Sequence, residues 1–564
     1  MKVLIEEQYY PTELVRGQCG DLGEPNKDGN IKVSRVGYFF NHEFSDCVIC
    51  LPKVVMFKED GVHKAFGKYE PQEIVNVFSS DTEDTKNECK LDERAQLFIK
   101  DFALWSYRTI STYARLNPES EIVYQSGSAK SEGSTQGTLL DVILMLIKFY
   151  NENQDYFMYI IKNIHSGYDR VNWRKTISRK TPILQKGSPI YMEVINRKKQ
   201  INFEEELMII FYSILNYVAK HLGFDIRFEC NYDIISGAEF ENYMEEVGLI
   251  RLRAIKYKYF SDKDLQMWNL CYAFFEKTSR INSSEHREDY LFVTDFDRVF
   301  ESMMNALISD TNIPKLLVEQ KDGKLVDHIF LHKSPIDGSP VYYIGDSKYY
   351  KTEQGVHDTS LYKQYTYAKN VIQFHFDKRT KDEEKKVQYR DEISEGYAFT
   401  PNFFISAYIP DDLSYESTHI GHRKLNRDES LMTHFDNRLF DRDTLWLSHY
   451  DVNLLYIMSI YARDDSSEQS MFKSSFRDYV QNGFKKMLNA EYHFFWVTPQ
   501  ESVKDFIKTN FYYFNGRVYI PSIKENKMVL AIKIENLNDT IQGENFTLMQ
   551  FLENKHAKIE QFEL

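Results

Sequence analysis

The stretch that decides the fold is Lys324–Lys348, KLVDHIFLHK-SPIDGSP-VYYIGDSK. Lys324–Lys333 is a β-run interrupted by Asp327. Ser334–Pro340 is turn chemistry around an Asp337-Gly338 pair. Val341–Lys348 is the return strand and ends in Asp346-Ser347-Lys348. Side chains alternate along a strand, so Asp346 and Lys348 share one face, and Asp327 on the hairpin partner reaches the same place. Upstream, Phe296–Ser309 puts Phe296, Val299, Phe300, Met303, Met304 and Leu307 on one stripe of a helix, with Glu301 beside it. Downstream, Leu361–Val371 is a second helix and carries Gln364.

Two carboxylates converging on one point repel unless a cation sits between them. Hard oxygen ligands suit Mg²⁺, with Mn²⁺ a possible substitute. Such an ion polarises a phosphodiester and lowers the pKa of a bound water, while Lys348 stabilises charge developing on the phosphate or positions the attacking water. A single D-x-K is commonly a solvated strand end, and a lone Asp327 in an apolar run also suits an edge strand avoiding aggregation. The order gives the pattern its meaning: helix Glu, strand Asp, turn, strand D-x-K, helix Gln. It reads as the core of a PD-(D/E)xK nuclease.

The same segment resembles the nuclease part of the LlaJI family of restriction endonucleases, relatives of the McrC nuclease subunits. The matching phrases are FDRVFESM, LVDHIF, IGDSKYYK and YKQYTYAKN. YDRVNWRKTI and PILQKGSPIY upstream, and GYAFTPNFFISA and NRLFDRDTLWLSHYDVNLLY downstream, extend the likeness over most of residues 160–460. The resemblance implies Mg²⁺-dependent cleavage of foreign double-stranded DNA, with Asp327, Asp346 and Lys348 as catalytic positions and the two Asp as metal ligands. Glu301 and Gln364 map more loosely, and Asp346 stands where Glu is commoner. The sequence has no G-x-x-x-x-G-K-[ST] phosphate loop. In an McrBC-like system the motor would therefore be a separate McrB-like AAA+ NTPase subunit.

Arg170–Lys199 holds nine Lys or Arg against the single acid Glu193, a local balance of +8 in a chain of net charge −14. Arg170, Arg174, Lys175, Arg179 and Lys180 are the candidate contacts to DNA phosphates, and the interleaved Trp173 and Tyr191, with Tyr168 just ahead, could stack on unpaired bases. A solvated basic surface, or a dock for an acidic partner, reads equally well from the same residues. Cys47-Val-Ile-Cys50 has zinc spacing, with His42 and Cys19 nearby, but there is no second C-x₂-C pair, and DCVICLPKVVMF reads as a buried strand. His328 and His332 face away from Asp327 on a regular strand and are read as structural.

The chain has 564 residues, 42% hydrophobic and 15% aromatic, ample material for buried cores, so wholesale disorder is excluded. The net negative charge excludes a uniformly basic nucleic-acid coat. No apolar run approaches the roughly 20 residues of a membrane span. Six cysteines in a long chain make no disulfide framework, and a reducing cytoplasm is expected. Leu91–Leu116, Thr138–Asn153, Asn202–Leu222, Thr444–Ala462 and Gln469–Met487 carry helical spacing. Ser79–Lys90, Glu119–Gly137 and residues 377–396 read as loops.

The expected architecture is a mixed, multidomain α/β protein. A β-rich N-terminal module with a linker fills 1–130, a helical and basic middle 131–288, the nuclease core 289–410 and an α+β region 411–564. The expected function is metal-dependent cleavage of foreign DNA in antiviral restriction. Two alternatives remain: a non-catalytic or regulatory DNA-binding subunit partnering an NTPase motor, and a repair or RNA nuclease.

Overall fold

The computed structural model describes all residues except 16–21, 24–25, 27, 42–45, 60–61, 79–90, 127–136, 155–159, 165–169, 201–204, 223, 225, 227–231, 284–287, 320–324, 350–357, 378–389, 414–418, 426–429, 434, 464 and 523–524. The loop expected at Ser79–Lys90, much of the joint at Glu119–Gly137 and most of 377–396 lie outside the described residues. Two compact units are formed. One comprises Met1–Cys50, Gln72–Leu91 and Glu121–Val293; the other comprises Leu51–Pro71, Asp92–Ser120 and Thr294–Leu564. Among the described residues no helix is long and apolar enough to cross a membrane.

The first unit is built on a five-stranded sheet ordered Lys2–Ile5, Asp46–Leu51, Val36–Asn41, Glu288–Val293, Val123–Gln125. Its apolar side packs Leu4, Phe39, Val48, Cys50 and Phe292 into one cluster. Gly37 has φ +146°, and a Cβ there would lie 2.3 Å from Leu291 O, so only glycine lets these strands pair. The helices Leu139–Glu152, Glu206–Leu222 and Asp262–Ser283 belong to the same unit. Buried Asp289 ties the first of them to the sheet: it accepts from Ser126 Oγ at 2.7 Å and from Leu139 N–H at 2.7 Å. Burial is the main reason its pKa is raised, while those two hydrogen bonds oppose the rise.

A short helix, Trp173–Arg179, leads into the hairpin Ile183–Gln185 and Ser188–Ile190. Lys186 and Gly187 form its two-residue turn, with φ +51° and +83°. Positive φ at both positions is the type I′ geometry that matches the twist of paired strands.

The second unit contains the hairpin quoted above. Its main sheet comprises β1 (His328–Lys333), β2 (Pro340–Lys348), β3 (Pro401–Tyr408), β4 (Ile420–Arg423) and β5 (Leu445–Asn453), in the order β1-β2-β3-β5-β4. β1 and β2 are antiparallel, β2, β3 and β5 run parallel, and β4 returns antiparallel. The labelled helices of this unit are α1 (Glu93–Leu116), α2 (Phe296–Ile308), α3 (Asp358–Asp377), α4 (Leu454–Arg463) and α5 (Ser466–Glu491). α3 is the crossover between β2 and β3 that a parallel pair requires. One face of the sheet packs Ile329, Ile344, Phe404 and Leu447 against Leu361, Tyr365 and Ala368 of α3. On the other face, Phe403 meets Phe330, Tyr450 and the α5 residue Phe476, with ring centroids 5.8–6.2 Å apart. A second sheet of this unit, ordered Val518–Tyr519, Met528–Lys533, Tyr492–Thr498, Lys558–Phe562, carries its own apolar cluster.

Most elements follow the expected spacing: helices at Glu93–Leu116, Phe296–Ile308 and Asp358–Asp377, and strands on either side of Asp337-Gly338. Thr444–Ala462 is a correction. The structure makes Leu445–Asn453 a strand and starts the helix only at Leu454. β5 has neighbours on both edges, and eight of its nine residues are buried. With both faces covered it shows no regular polar alternation, so periodicity does not separate it from the buried helix that follows.

The packing behind β2 gives a stability test. A Cβ on Gly345 would lie 2.4 Å from the Phe403 ring, so Gly345→Ala should cost about 1–3 kcal/mol by overpacking. Phe403→Leu alone should also destabilise, yet the double variant should lose less than the sum, because leucine vacates the space the new methyl needs. Denaturant titration of the four proteins measures this, and strictly additive losses would show that the two positions do not compete for one space.

Candidate active site

The β1–β2 register places the two aspartates. His328 pairs with Gly345 and Ile329 with Ile344. Carried one step further, Asp327, immediately before β1, stands opposite Asp346. Residues directly opposite in an antiparallel pair share a face. The Asp327 carboxylate accepts the Ser347 N–H at 3.0 Å and lies within hydrogen-bonding reach of the Asp346 carboxyl. Asp346 is 3% exposed and Lys348 8%, and Lys348 Nζ forms an ion pair with Asp346 Oδ2. The same ammonium lies 5.4 Å from the Phe404 ring centroid, a cation–π contact that suits a partly desolvated cation.

Glu301 projects from α2, half-buried. Its pKa is raised, chiefly by burial and then by the charges of Asp346, Asp297 and Asp295. Asp297, one turn earlier, is pushed up to about 6 by burial and by its hydrogen bond with Asp295. Asp327 is raised furthest of the three. Burial leads, and the charges of Asp346 and Glu301 follow. The sheet thus gathers Asp327, Asp346, Glu301 and Lys348 into one electrostatically coupled corner.

Gln364 on α3 is fully buried. Its Nε2 donates to Ile344 O at 2.8 Å, fixing the helix over β2. Its Oε1 is buried with no hydrogen-bond partner among the described residues. The residue beside it was not anticipated. Lys363 has its pKa raised by a hydrogen bond to Tyr367 and, more weakly, by Asp346 and Asp327. The Lys363-x-x-x-Tyr367 spacing, one helical turn, was visible in sequence, but its nearness to the aspartates depends on how α3 crosses the sheet.

The aspartate face continues across the sheet. Asp346 is in register with Phe404 and, through it, with His449; Lys348 is likewise in register with Ser406 and then Asp451. His449 Nε2 and Ser406 Oγ are 2.7 Å apart. Burial leads in pushing the imidazole down to about 3, so it is neutral. Arg423 makes two hydrogen bonds to Asp451, at 3.1 and 2.6 Å.

His328 turns away from this face, as its strand position dictates. It is buried, with Nε2 2.6 Å from Ser347 Oγ and its pKa pushed down to about 3 by burial. Of the zinc candidates, Cys47 and Cys50 are buried in a strand, while Cys19 and His42 lie outside the described residues. No group of three or more His, Cys, Asp or Glu among the described residues is arranged to hold a metal ion by itself.

In the first unit, Arg170, Arg174 and Arg179 are exposed, and Lys175 and Lys180 are half-buried. Lys180 pairs with Glu193 at 2.5 Å. Trp173 and Tyr191 meet edge to face at 6.3 Å, and Tyr168 lies outside the described residues.

The raised Asp327 pKa has a sign that can be measured. Above the unfolded-state value of about 3.9, the folded chain still holds a proton that the unfolded chain has lost. Stability therefore falls as pH rises from there towards the folded-state pKa. In EDTA, Asp327→Asn should remove that loss. It should raise stability at pH 7 by on the order of 1 kcal/mol, and the gain should vanish near pH 4. Urea titrations at several pH values test this, and a gain independent of pH would mean that the neighbouring carboxylates do not hold the proton on.

Comparison with known proteins gives one family and no individual relative. No curated protein and no solved structure matches the chain. The family model described as LlaJI restriction endonuclease matches residues 107–386, a segment that contains Glu301, Asp327, Asp346, Lys348 and Gln364. Over that segment, just under half of its length, the chain is similar to the LlaJI restriction endonuclease family.

Proposed function

We propose that the protein is a Mg²⁺-dependent endodeoxyribonuclease of an antiviral restriction system, cutting phosphodiester bonds of foreign double-stranded DNA. Its catalytic part is a PD-(D/E)xK core within residues 289–410. The observation that carries this reading is the placement of Asp327 directly opposite Asp346, with Lys348 two residues on along the same face. The match to the LlaJI restriction endonuclease family supports the reaction class.

The donor set fits Mg²⁺. Asp327 and Asp346 are hard oxygen ligands, and the Asp327 pKa is raised first by burial and then by the charges of Asp346 and Glu301. Mg²⁺ is commonly held by one or two carboxylates plus substrate phosphates and water, so the lack of a third protein ligand in the described set is compatible with it. Mn²⁺ accepts the same donors. When bound, the ion would polarise the phosphodiester and acidify a water. The chain's own residues do the rest. Lys348, resting on Phe404, places a fixed positive charge where the phosphate gains negative charge. Glu301, its proton affinity raised by burial and then by its acidic neighbours, can accept a proton at that corner. Gln364 anchors α3 to β2 and so keeps the strand end in place.

The exposed Arg170, Arg174 and Arg179, with Lys175 and Lys180, would follow a DNA backbone. A specific observation favours a second reading of that surface. Ile177, Ile183, Leu184, Ile190 and Met192 are all exposed there, Leu184 by 73% and Met192 by 77%. A mixed apolar and basic face suits a protein partner better than phosphates alone, and an McrB-like AAA+ NTPase subunit is the partner this reading proposes.

The central test is plasmid cleavage by the wild-type chain in Mg²⁺ against EDTA, with and without the product of the neighbouring gene. Metal-dependent nicking or linearisation is expected. Single-stranded DNA and RNA should be poor substrates, and a preference for RNA would move the chain to the other nuclease class. Asp346→Ala should be inactive. Lys348→Ala should bind DNA nearly as wild type yet cut slower by a factor on the order of 10² or more; unchanged cleavage would remove Lys348 from the mechanism.

A combined Arg174→Ala, Lys175→Ala, Arg179→Ala and Lys180→Ala variant tests the basic surface. If it holds DNA, affinity for all sequences should fall alike, and the slope of log K against log salt should flatten by up to about 0.9 per lost phosphate contact. Unaltered DNA affinity with lost association to the motor would assign the surface to the partner.

A further inference from the structure

A cavity of about 390 Å³ opens beside Asp327, between the start of β1 and α2. One wall is apolar and includes Ile313, Val326 and Ile329; the opposite wall carries Ser302, Asn305 and Ser309. These three polar residues are spaced three and four apart and so share one face of α2 and its C-terminal end. Asp310, also in the lining, is already engaged: it pairs with Arg477 at 2.7 Å and accepts the Leu331 N–H at 2.8 Å. Ser309 is not. The residue is 7% exposed, and its Oγ is buried with no hydrogen-bond partner among the described residues. A buried hydroxyl left unpaired is costly to keep, and this one lies just behind the wall of a half-polar cavity that its residue lines.

An apolar wall facing a polar one matches a flat ring with apolar faces and a hydrogen-bonding edge. A nucleobase has that form, and the volume falls in the range of small-ligand pockets. The opening at Asp327 puts the cavity within a nucleotide's reach of the carboxylate pair. We propose that this cavity receives the base of a nucleotide next to the cleaved phosphate, turned out of the DNA stack. The inference rests on the reading of Asp327 and Asp346 as the cleavage site and adds a recognition element to it. Asn305 offers both a donor and an acceptor to a base edge, and a turn of the Ser309 side chain towards the cavity gives its unpaired hydroxyl a partner. Turning a base out costs pairing and stacking energy, least where the base is mismatched or unpaired, so sites beside a weakly paired base should be preferred.

The test uses the full chain in EDTA, which blocks cleavage, and oligonucleotides carrying one 2-aminopurine, either unpaired in a strand or opposite a mismatch in a duplex. Stacking quenches this base, so transfer into the cavity changes its fluorescence. Wild type should give a saturable change. Ala306→Trp, which fills the cavity from an exposed helical position, should weaken the fluorescence-detected affinity on the order of tenfold. Ser309→Ala removes only an unpaired hydroxyl, leaves the fold intact and should weaken it by a factor of a few. No fluorescence change with wild type, or equal affinities in all three proteins, overturns the proposal. Plasmid cleavage in Mg²⁺, run in parallel, reports separately on the active-site reading. Cleavage with an indifferent cavity removes only the base pocket, whereas a working cavity without cleavage leaves a nucleotide site and removes only the nuclease assignment.

Discussion

Asp327 and Asp346 stand face to face across a strand pair, where like charges repel and exclusion of water strengthens the repulsion. Their position is held by forces that have nothing to do with the carboxylates. A one-residue slip of β1 against β2 would exchange the two faces of β1. Ile329 would leave the surface it shares with Ile344 under α3, and Phe330 would leave its stack on Tyr343, at 5.1 Å on the other face. Both faces are buried, so the register is over-determined and the charge crowding at its end is tolerated. The Ser347 N–H and the Lys348 ammonium relieve part of the repulsion. Burial leads in raising the proton affinity of Asp327 and Glu301, and the remaining repulsion adds to it. Pairs of titratable groups shifted by one another in this way are common at reactive sites.

The rest of the sheet face is arranged so as not to compete for Lys348. In register with Asp346 come Phe404, an aromatic ring that Lys348 also faces, and then His449, which burial holds neutral; in register with Lys348 come Ser406 and then Asp451. Farther out, Asp451 has its own cation in Arg423. No unbalanced acid on β3 or β5 draws the Lys348 ammonium away from the corner. α3 contributes from above: Gln364 fixes the helix to Ile344, and Lys363 on the next residue adds positive charge towards the same aspartates.

The hairpin, both flanking helices and the convergence of Asp327, Asp346, Lys348 and Glu301 were legible in sequence, because each rests on local periodicity and turn chemistry. Asp337-Gly338 announces the turn, alternation sets the faces, and the stripe from Phe296 to Leu307 places Glu301 beside the buried side of α2. β5 was not legible. Both of its faces are covered, so no regular polar alternation marks it, and LWLSHYDVN runs without a break into the helix LLYIMSIYAR. Lys363 was missed because its role depends on the angle at which a crossover helix returns over the sheet. The cavity walled by Ser309 and Ile329 was missed because residues 20 apart in sequence define it, and no spacing rule links them.

The hairpin Ile183–Ile190 shows how anchoring and recognition separate within one segment. Its base is tightly built. Asn172 caps the helix Trp173–Arg179 through the Lys175 N–H at 3.3 Å, Thr176 Oγ1 accepts the Ile195 N–H at 3.0 Å, and Asn172 N–H reaches Ile195 O at 2.7 Å. Asn172, Thr176 and Ile195 are buried. Beyond that base, every residue of both strands is exposed, and an isolated two-stranded hairpin in water is marginal. Its turn geometry and its buried base keep it formed, not a core of its own. Exposed apolar side chains grouped in this way carry a free-energy cost that only a covering surface removes. Phosphates would neutralise Arg174 and Arg179 while leaving Leu184 and Met192 in water. A protein surface with acidic groups around an apolar centre would satisfy both, so the charge pattern alone, which first suggested DNA, is the weaker guide to what this tip meets.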